Sequence, residues 1–194
     1  MDVIGFINSI NLFDLIVIGA LIGMFILGFA QGVIRRLIGI ISATFAYILA
    51  ANLKEPVGDF LAYNWTQFPA EYSHLIGFGV IYLTLLVGLA IAAQVWYKPV
   101  TLWPQYPLLE EILGGFLGVV QGLLILMALV VITDPYFAVA GAPANGELGF
   151  IRSFHDALDP SATAAFLRQA MIPAFNALLG AFIPEVLRSR LDGS

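Results

Sequence analysis

The sequence predicts an all-α membrane protein with four transmembrane helices and an amphipathic, interfacial C-terminal helical tail. Three observations predict this fold class. Of the 194 residues, 60% are hydrophobic and 11% are charged, whereas soluble domains carry about 25% charged residues. The apolar residues form uncharged runs that are long enough, as helices, to cross a bilayer core of about 30 Å. Glycines recur every four residues in two of these runs, a pattern typical of helix contacts in lipid.

The composition also argues against several kinds of site and partner. The net charge is −5 and there is no basic cluster, so a nucleic-acid partner is not expected. The chain has no cysteine, and His74 and His155 each lack a second histidine at the spacing of metal ligands. We therefore expect no disulfide, no metal site and no cofactor.

The first two predicted spans are separated by a pair of arginines. Residues 15–34 contain no charge and are bounded by Asp14 on one side and by Arg35 and Arg36 on the other. Residues 37–53 form the second span, which is close to the shortest length that crosses a bilayer. Because only the two arginines lie between these runs, we expect the chain to turn straight back there.

The third and fourth predicted spans are residues 75–97 and 112–133. The polar connection at residues 54–74 leads to the third span, and a proline-rich return leads to the fourth. The fourth span contains no charge and, as a helix, is about 33 Å long. Residues 1–135 are therefore predicted to form the membrane domain.

The composition changes beyond this domain, and residues 136–194 are predicted to be an extracytoplasmic linker and helical tail. Ser161 is a candidate N-cap for an amphipathic helix, which Pro173 and Pro184 are expected to kink or break. The uncharged part of this helix is short, so we expect it to lie in the membrane interface. A fifth span at residues 169–187 stays open as the alternative.

The distribution of lysine and arginine predicts the orientation in the membrane. Arg35, Arg36 and Lys98 lie in the two short turns, and the opposite connection holds only Lys54. Short cytoplasmic loops are enriched in positive charge, so the two turns are expected in the cytoplasm. The N-terminus and the tail are then expected outside the cytoplasm.

Small residues line one face of the first span and one face of the fourth. These glycines are Gly19, Gly23, Gly28 and Gly32 in the first span and Gly114, Gly118 and Gly122 in the fourth. Because glycine faces let two backbones approach closely in lipid, we expect the first span to cross the fourth there. Gln31 and Gln121 each precede a glycine and are expected to hydrogen-bond across the contact, which is worth about 1 kcal/mol in a membrane.

Charged residues at the ends of the spans are further candidates. Asp14 is a candidate functional acid in a proton or ion path, although the dipole of its own helix also favours a carboxylate there. Glu110 and Glu111 begin the fourth span on the same side as Arg35 and Arg36, where an ion pair would set the register of the two helices. Binding of anionic lipid headgroups by the arginines is the alternative.

The order of these features resembles the colicin V production protein family. Asp14 opens a glycine-bearing first helix, Gly28 and Gly32 are followed by basic residues, and acids lead into a last helix with regularly spaced glycines. The resemblance covers residues 12–135. It implies a four-span protein of the bacterial inner membrane, with its tail outside, that is linked to toxin production and envelope maintenance. It supplies no catalytic residues.

These observations predict a non-enzymatic scaffold in the lipid bilayer that acts through homo-oligomers or other membrane proteins. No ionisable residue is expected near the middle of a span, whereas proton-coupled transporters and intramembrane proteases require one. The alternative is a small channel or transporter, in which an oligomer encloses a polar path past Gln31, Gln94 and Gln121.

Overall fold

All regular structure in the described residues is helical. The computed structural model describes residues 11–65, 70–96, 102–103, 105–139, 149–179 and 182. The helices are α1 (Leu12–Asn64), α2 (Ala70–Trp96), α3 (Pro107–Val139), α4 (Gly149–Leu158), α5 (Ala162–Phe166) and α6 (Ile172–Leu179), with a π-helical turn at Leu167–Met171. The predicted all-α fold class is therefore confirmed for this part of the chain.

Within these residues, three helical stretches are long and apolar enough to cross a membrane. They are Leu12–Asn64, Ser73–Trp96 and Pro107–Asp134. Each carries large hydrophobic side chains on its outer surface, such as Ile26, Val87 and Phe116, which are more than half exposed. An apolar surface on this scale is typical of a protein that contacts lipid, in agreement with the predicted membrane class.

Helix α1 contains the first two predicted spans and breaks at Gly32. Gly32 has φ 75° and ψ 176°, outside the helical region. The sequence predicted a turn at Arg35 and Arg36, but both arginines are helical and the break comes before them. Glycine adopts a positive φ at little cost whereas arginine favours a helix, which explains the position of the break. We call residues 12–31 the first arm and residues 33–64 the second arm.

The first arm lies antiparallel to α3. A methyl group added to Gly122 would lie 3.0 Å from Cδ2 of Leu21. A methyl group added to Gly28 would overlap the carbonyl oxygen of Gly114. Residue numbers therefore fall along the first arm as they rise along α3.

The second arm lies parallel to α3. A methyl group added to Gly32 would lie 3.4 Å from Oε1 of Glu110, near the start of α3. A methyl group added to Gly39 would lie 2.7 Å from Nε2 of Gln121, three turns farther along. The two arms thus run in opposite directions along the same helix, which means that the chain reverses at Gly32.

The hydrophobic core lies between the second arm, α2, α3 and the C-terminal helices. Its buried members are Ala46, Tyr47, Ala50, Ala51, Phe78, Tyr82, Met127, Ala128, Val130, Val131, Leu158, Ala164, Leu167, Ile172 and Phe175. The last five of these residues belong to the predicted tail. The described part of the tail is therefore packed on the bundle and shares its core, an arrangement that the sequence did not predict.

The tail helix begins at the predicted cap, Ser161, and is interrupted next to Pro173, where a break was predicted. The hydroxyl oxygen of Ser161 accepts the N–H of Ala164 at 3.0 Å, so Ser161 is the N-cap of α5. Pro173 follows the π-helical turn. Proline has no N–H and its ring collides with the carbonyl four residues earlier, and a wider turn at that point makes room for it. Pro184 lies outside the described residues, so the second break and the fifth span stay predictions. Lys98, which entered the prediction of the membrane orientation, also lies outside them.

Candidate functional site

The first arm and α3 touch through their backbones. A methyl group on Gly114 would lie 2.6 Å from the carbonyl oxygen of Gly28 and 3.0 Å from Cα of Gly32. A methyl group on Gly118 would overlap the carbonyl oxygen of Met24. No larger side chain fits at these positions unless a backbone moves, so the glycines determine how closely the two helices approach.

Gly115 also takes part in this crossing, although the four-residue spacing does not include it. A methyl group on Gly115 would lie 2.7 Å from Cε2 of Phe25. The Phe25 ring also meets Phe116 edge to face, with ring centroids 5.7 Å apart. One face of α3 thus contacts the backbone of the first arm, and the adjoining face contacts the ring of Phe25. The doubled glycine at 114 and 115 is the signal that could have indicated this second contact.

Gly19 and Gly23, which share the spacing, do not take part in the crossing. A methyl group on either of them would have nothing within 4 Å. Gly19 is exposed and Gly23 is half-buried. Of the small-residue face predicted on the first span, the structure therefore brings Gly28 and Gly32 against α3 and leaves the two earlier glycines facing outward.

Arg36 places a charged group inside the bundle. This residue is 5% exposed, and its Nη1 donates a hydrogen bond of 2.9 Å to Oε1 of Gln121. Gly39 makes room for the amide of Gln121, since a methyl group there would lie 2.7 Å from the amide nitrogen. Gln121 lies at the middle of the apolar stretch Pro107–Asp134. The guanidinium is therefore held deep in the part of the helix that is suited to the membrane.

This contact corrects the expectation that no ionisable group lies near the middle of a span. Arg36 follows the reversal at Gly32 by four residues, so its Cα is near the end of the bundle. The amide that it binds lies against Gly39, almost one helical turn farther in. An arginine side chain is longer than a helical turn of about 5.4 Å and covers this distance. The sequence shows the residue but not the direction in which its side chain extends.

The predicted ion pair between the two glutamates and the two arginines does not form in the described residues. Glu110 is 6% exposed and accepts a hydrogen bond of 3.3 Å from the backbone N–H of Trp103. Glu111 and Arg35 are half-buried. Nε of Arg36 is buried and has no hydrogen-bond partner. The residues near the reversal therefore include a buried carboxylate and a buried guanidinium that are not in ion-pair contact.

The two predicted glutamine contacts have different outcomes. Gln121 accepts its hydrogen bond from Arg36 of the second arm, not from a residue of the first arm. Gln31 is half-buried, and no hydrogen bond joins its side chain to α3 within the described ranges. The resemblance between the two glutamine–glycine pairs is therefore not reflected in a common contact.

Asp14 lies at the opposite end of the bundle, where it binds the tail. One carboxylate oxygen accepts the backbone N–H of Ala162 at 2.9 Å. The other accepts the backbone N–H and the hydroxyl of Thr163 at 2.9 and 2.6 Å. The start of α1 is capped by a different residue, since Oδ1 of Asn11 accepts the N–H of Phe13 at 3.0 Å. Asp14 therefore caps α5, a role that neither sequence interpretation included.

Arg168 makes a second connection between the tail and the bundle. Its Nε and Nη2 each lie 2.7 Å from a carboxylate oxygen of Asp134, at the end of the apolar part of α3. Its Nη1 lies 2.8 Å from Oδ1 of Asp159. The hydrogen bonds that Arg168 donates to Asp134 are the main reason that its pKa lies above the ordinary value, so this residue stays charged. We call Asp14, Asp134 and Arg168 the tail clamp.

Aromatic contacts accompany the tail clamp. Phe13 meets Phe154 of α4 edge to face, with centroids 5.7 Å apart. Tyr47 of the second arm meets Phe175 of α6 in the same way at 5.2 Å. Both arms of α1 thus contact the tail at the end of the bundle that lies away from Gly32. The sequence could not indicate these pairs, because their members are more than 100 residues apart.

The histidines do not assemble a metal site in the described ranges, where no group of three His, Cys, Asp or Glu is placed to hold an ion. Nε2 of His74 lies 3.1 Å from the exposed carboxylate of Asp59. Nε2 of His155 lies 3.9 Å from Asp134. Each of these two histidine contacts joins two different helices.

A comparison with protein families identifies the group to which this chain belongs. The model of the family described as Colicin V production protein matches residues 13–171. The match covers well over half of the chain, so the chain belongs to this family and the resemblance seen in the sequence is confirmed. The match extends past residue 135 and includes all three residues of the tail clamp. No curated protein and no solved structure matches the chain.

Proposed function

We propose that this member of the colicin V production protein family is a four-span scaffold of the bacterial inner membrane, without enzymatic activity, that supports toxin production or export and envelope maintenance. Its family and its apolar helices support a role in the membrane. The observation that carries the scaffold proposal is the direct backbone contact of Gly28 and Gly118 with their neighbours, because such contacts make a rigid bundle.

The reversal at Gly32 supports the proposal of four crossings. The first arm has the length of one crossing, about 30 Å, and the second arm returns along α3 in the opposite direction. With α2 and α3 this makes four passes. The basic residues Arg35 and Arg36 next to the reversal favour the cytoplasm for that end. The tail clamp and the N-terminus then lie outside.

The proposed partner of the scaffold is a second copy of the chain, bound through the outer face of the first arm. Gly19 and Gly23 are one helical turn apart on this face and have no neighbour within 4 Å of an added methyl group. Ile22 and Ile26, on the same turns of the arm, are more than half exposed. A glycine pair with bulky apolar neighbours is a common surface for association of helices in lipid.

Cysteine crosslinking in membranes tests this proposal, because the chain has no native cysteine. We expect Gly23→Cys to give covalent dimers on mild oxidation. Val87→Cys, at an exposed apolar position of α2, is the matched control and should stay monomeric. Equal dimer yields from both variants would mean random collision, and no dimer from Gly23→Cys would count against the homo-oligomer.

A channel or transporter is the second candidate, and the buried polar contact between Arg36 and Gln121 is the observation that favours it. Ion flux through purified protein in liposomes measures this activity. Flux that is lost in Gln121→Leu would favour the channel over the scaffold. Flux that is unchanged in this variant, or absent from the wild-type protein, would favour the scaffold.

A further inference from the structure

The bundle holds a buried cation whose charge is not balanced by a carboxylate in contact with it. Arg36 is 5% exposed, and its Nη1 donates a hydrogen bond of 2.9 Å to the neutral amide of Gln121. Its Nε is buried without any hydrogen-bond partner. No described carboxylate makes an ion pair with it. Because a charge removed from water is costly unless it is paired, this guanidinium calls for a negative partner.

Glu110, which lies beside Gly32 at the reversal, is a candidate within the chain, but it already has favourable partners. It lies in the first turn of α3, where the positive end of the helix stabilises a carboxylate. Its Oε2 also accepts the backbone N–H of Trp103. The guanidinium of Arg36 extends away from Glu110, toward the amide that lies against Gly39. The structure thus separates the two charges and leaves the free N–H of Arg36 available.

We propose that Arg36 and Gln121 form a binding site for a small inorganic anion inside the bundle. The anion would accept the free Nε–H of Arg36 and balance its charge, while Gln121 holds the guanidinium in position. Glycine contacts bring both arms of α1 close to α3 on either side of the site. Because the helices pack closely there, the proposed ligand is an anion of the size of chloride and not a larger organic acid.

Thermal unfolding of the purified full-length protein in chloride and in gluconate, at equal ionic strength, tests the proposal. A ligand that binds the folded state stabilises it in proportion to the logarithm of its concentration. At chloride about tenfold above half-saturation, we expect the midpoint to rise by about 3–6 °C for a chain of this size. Gluconate should give no such rise. A wild-type protein whose midpoint is the same in chloride and in gluconate would overturn the proposal.

Two variants of the arginine pair show whether the response belongs to Arg36. Arg36→Gln should lose the chloride response, and Arg35→Gln, the matched control on the adjacent half-buried arginine, should keep it. If Arg36→Gln does not fold, Arg36→Lys keeps the charge but removes the Nε–H, and it should need about tenfold more chloride. A midpoint that depends on chloride in the Arg36 variants as it does in the wild-type protein would overturn the proposal.

A third variant distinguishes a bound anion from an internal ion pair. In the proposed arrangement, Glu110→Gln leaves the chloride response close to that of the wild-type protein. A response that appears only in Glu110→Gln would mean that Glu110 itself balances Arg36, and it would overturn the proposal. The scaffold function does not depend on this outcome, because oligomer crosslinking measures it separately.

Discussion

At the scale of single residues, Gly32 determines the course of the chain. It is the only residue with a positive φ in the described part of the chain, and it reverses a helix of 53 residues. The sequence indicated a glycine-rich face, but seven glycines shared the pattern and nothing local singled out this one. The backbone conformation of one residue depends on contacts with α3, which are distant in sequence.

Replacing Gly32 with alanine should destabilise the protein by about 1–3 kcal/mol, because a positive φ combined with an extended ψ is a conformation that is nearly restricted to glycine. The new methyl group would have an ordinary contact at 3.4 Å with Glu110, so the cost is conformational rather than steric. The control is Gly19→Ala, which adds a methyl group in open space within a helix and should stabilise by about 0.5–1 kcal/mol. The midpoint of reversible unfolding in detergent measures both effects, and equal shifts would contradict this account.

Asp14 is the second residue with a role that a local pattern could not reveal. The sequence placed it correctly at a helix start, where its own helix was the expected partner. Its three hydrogen bonds go instead to residues 148 and 149 positions away. A carboxylate at a helix end predicts a cap, but only the fold shows which helix is capped.

Asp14→Ala should loosen the tail by about 1–3 kcal/mol, because the N–H groups of α5 would lose their acceptor. The rate of trypsin cleavage after Arg168 measures this loosening, since the guanidinium is held by Asp134 while the tail is docked. Asp59→Ala is the control, because Asp59 is largely exposed and its contact with His74 is worth about 0–1 kcal/mol. Unchanged cleavage in Asp14→Ala would mean that this carboxylate does not hold the tail.

At the scale of helices, length and hydropathy predicted where the apolar helices lie, and small-residue spacing predicted which faces could meet. The fourth predicted span, residues 112–133, lies within α3, and the third, residues 75–97, overlaps α2 through Trp96. The helix ends differ from the predictions because the bundle continues beyond the uncharged runs. The tail was predicted as a separate interfacial element because its own composition is amphipathic, and its docking depends on pairs such as Tyr47 with Phe175.

The contact between the first arm and α3 makes a testable prediction for bulky side chains. Gly118→Leu places a side chain where even a methyl group overlaps the carbonyl oxygen of Met24. We expect a loss of at least about 1–3 kcal/mol, the usual cost of overpacking, because a backbone must move. Gly79→Leu is the control, since that glycine has open space around it. The midpoint of unfolding measures both effects, and equal shifts from the wild-type midpoint in the two variants would contradict the account.

At the scale of the whole molecule, the bundle is held at both ends. Gly32 lies at one end, the tail clamp lies at the other, and the buried contact between Arg36 and Gln121 lies between them. Composition was sufficient to predict a membrane protein, and the order of acids, glycines and basic residues was sufficient to predict its family. The sequence could not show that the tail completes the core, because burial of that kind depends on the assembled chain.

The reversal at Gly32 is the central claim, and paired cysteines test it most directly. Leu21 lies against Gly122, and Gly39 lies against the adjacent residue Gln121. In one variant Leu21 and Gly122 are replaced by cysteine, and in another Gly39 and Gln121. The account predicts efficient crosslinking within one chain for both pairs. A straight α1 would hold residues 21 and 39 about 27 Å apart, so the two pairs could not both form. A crosslink in only one of the two variants would therefore contradict the reversal at Gly32.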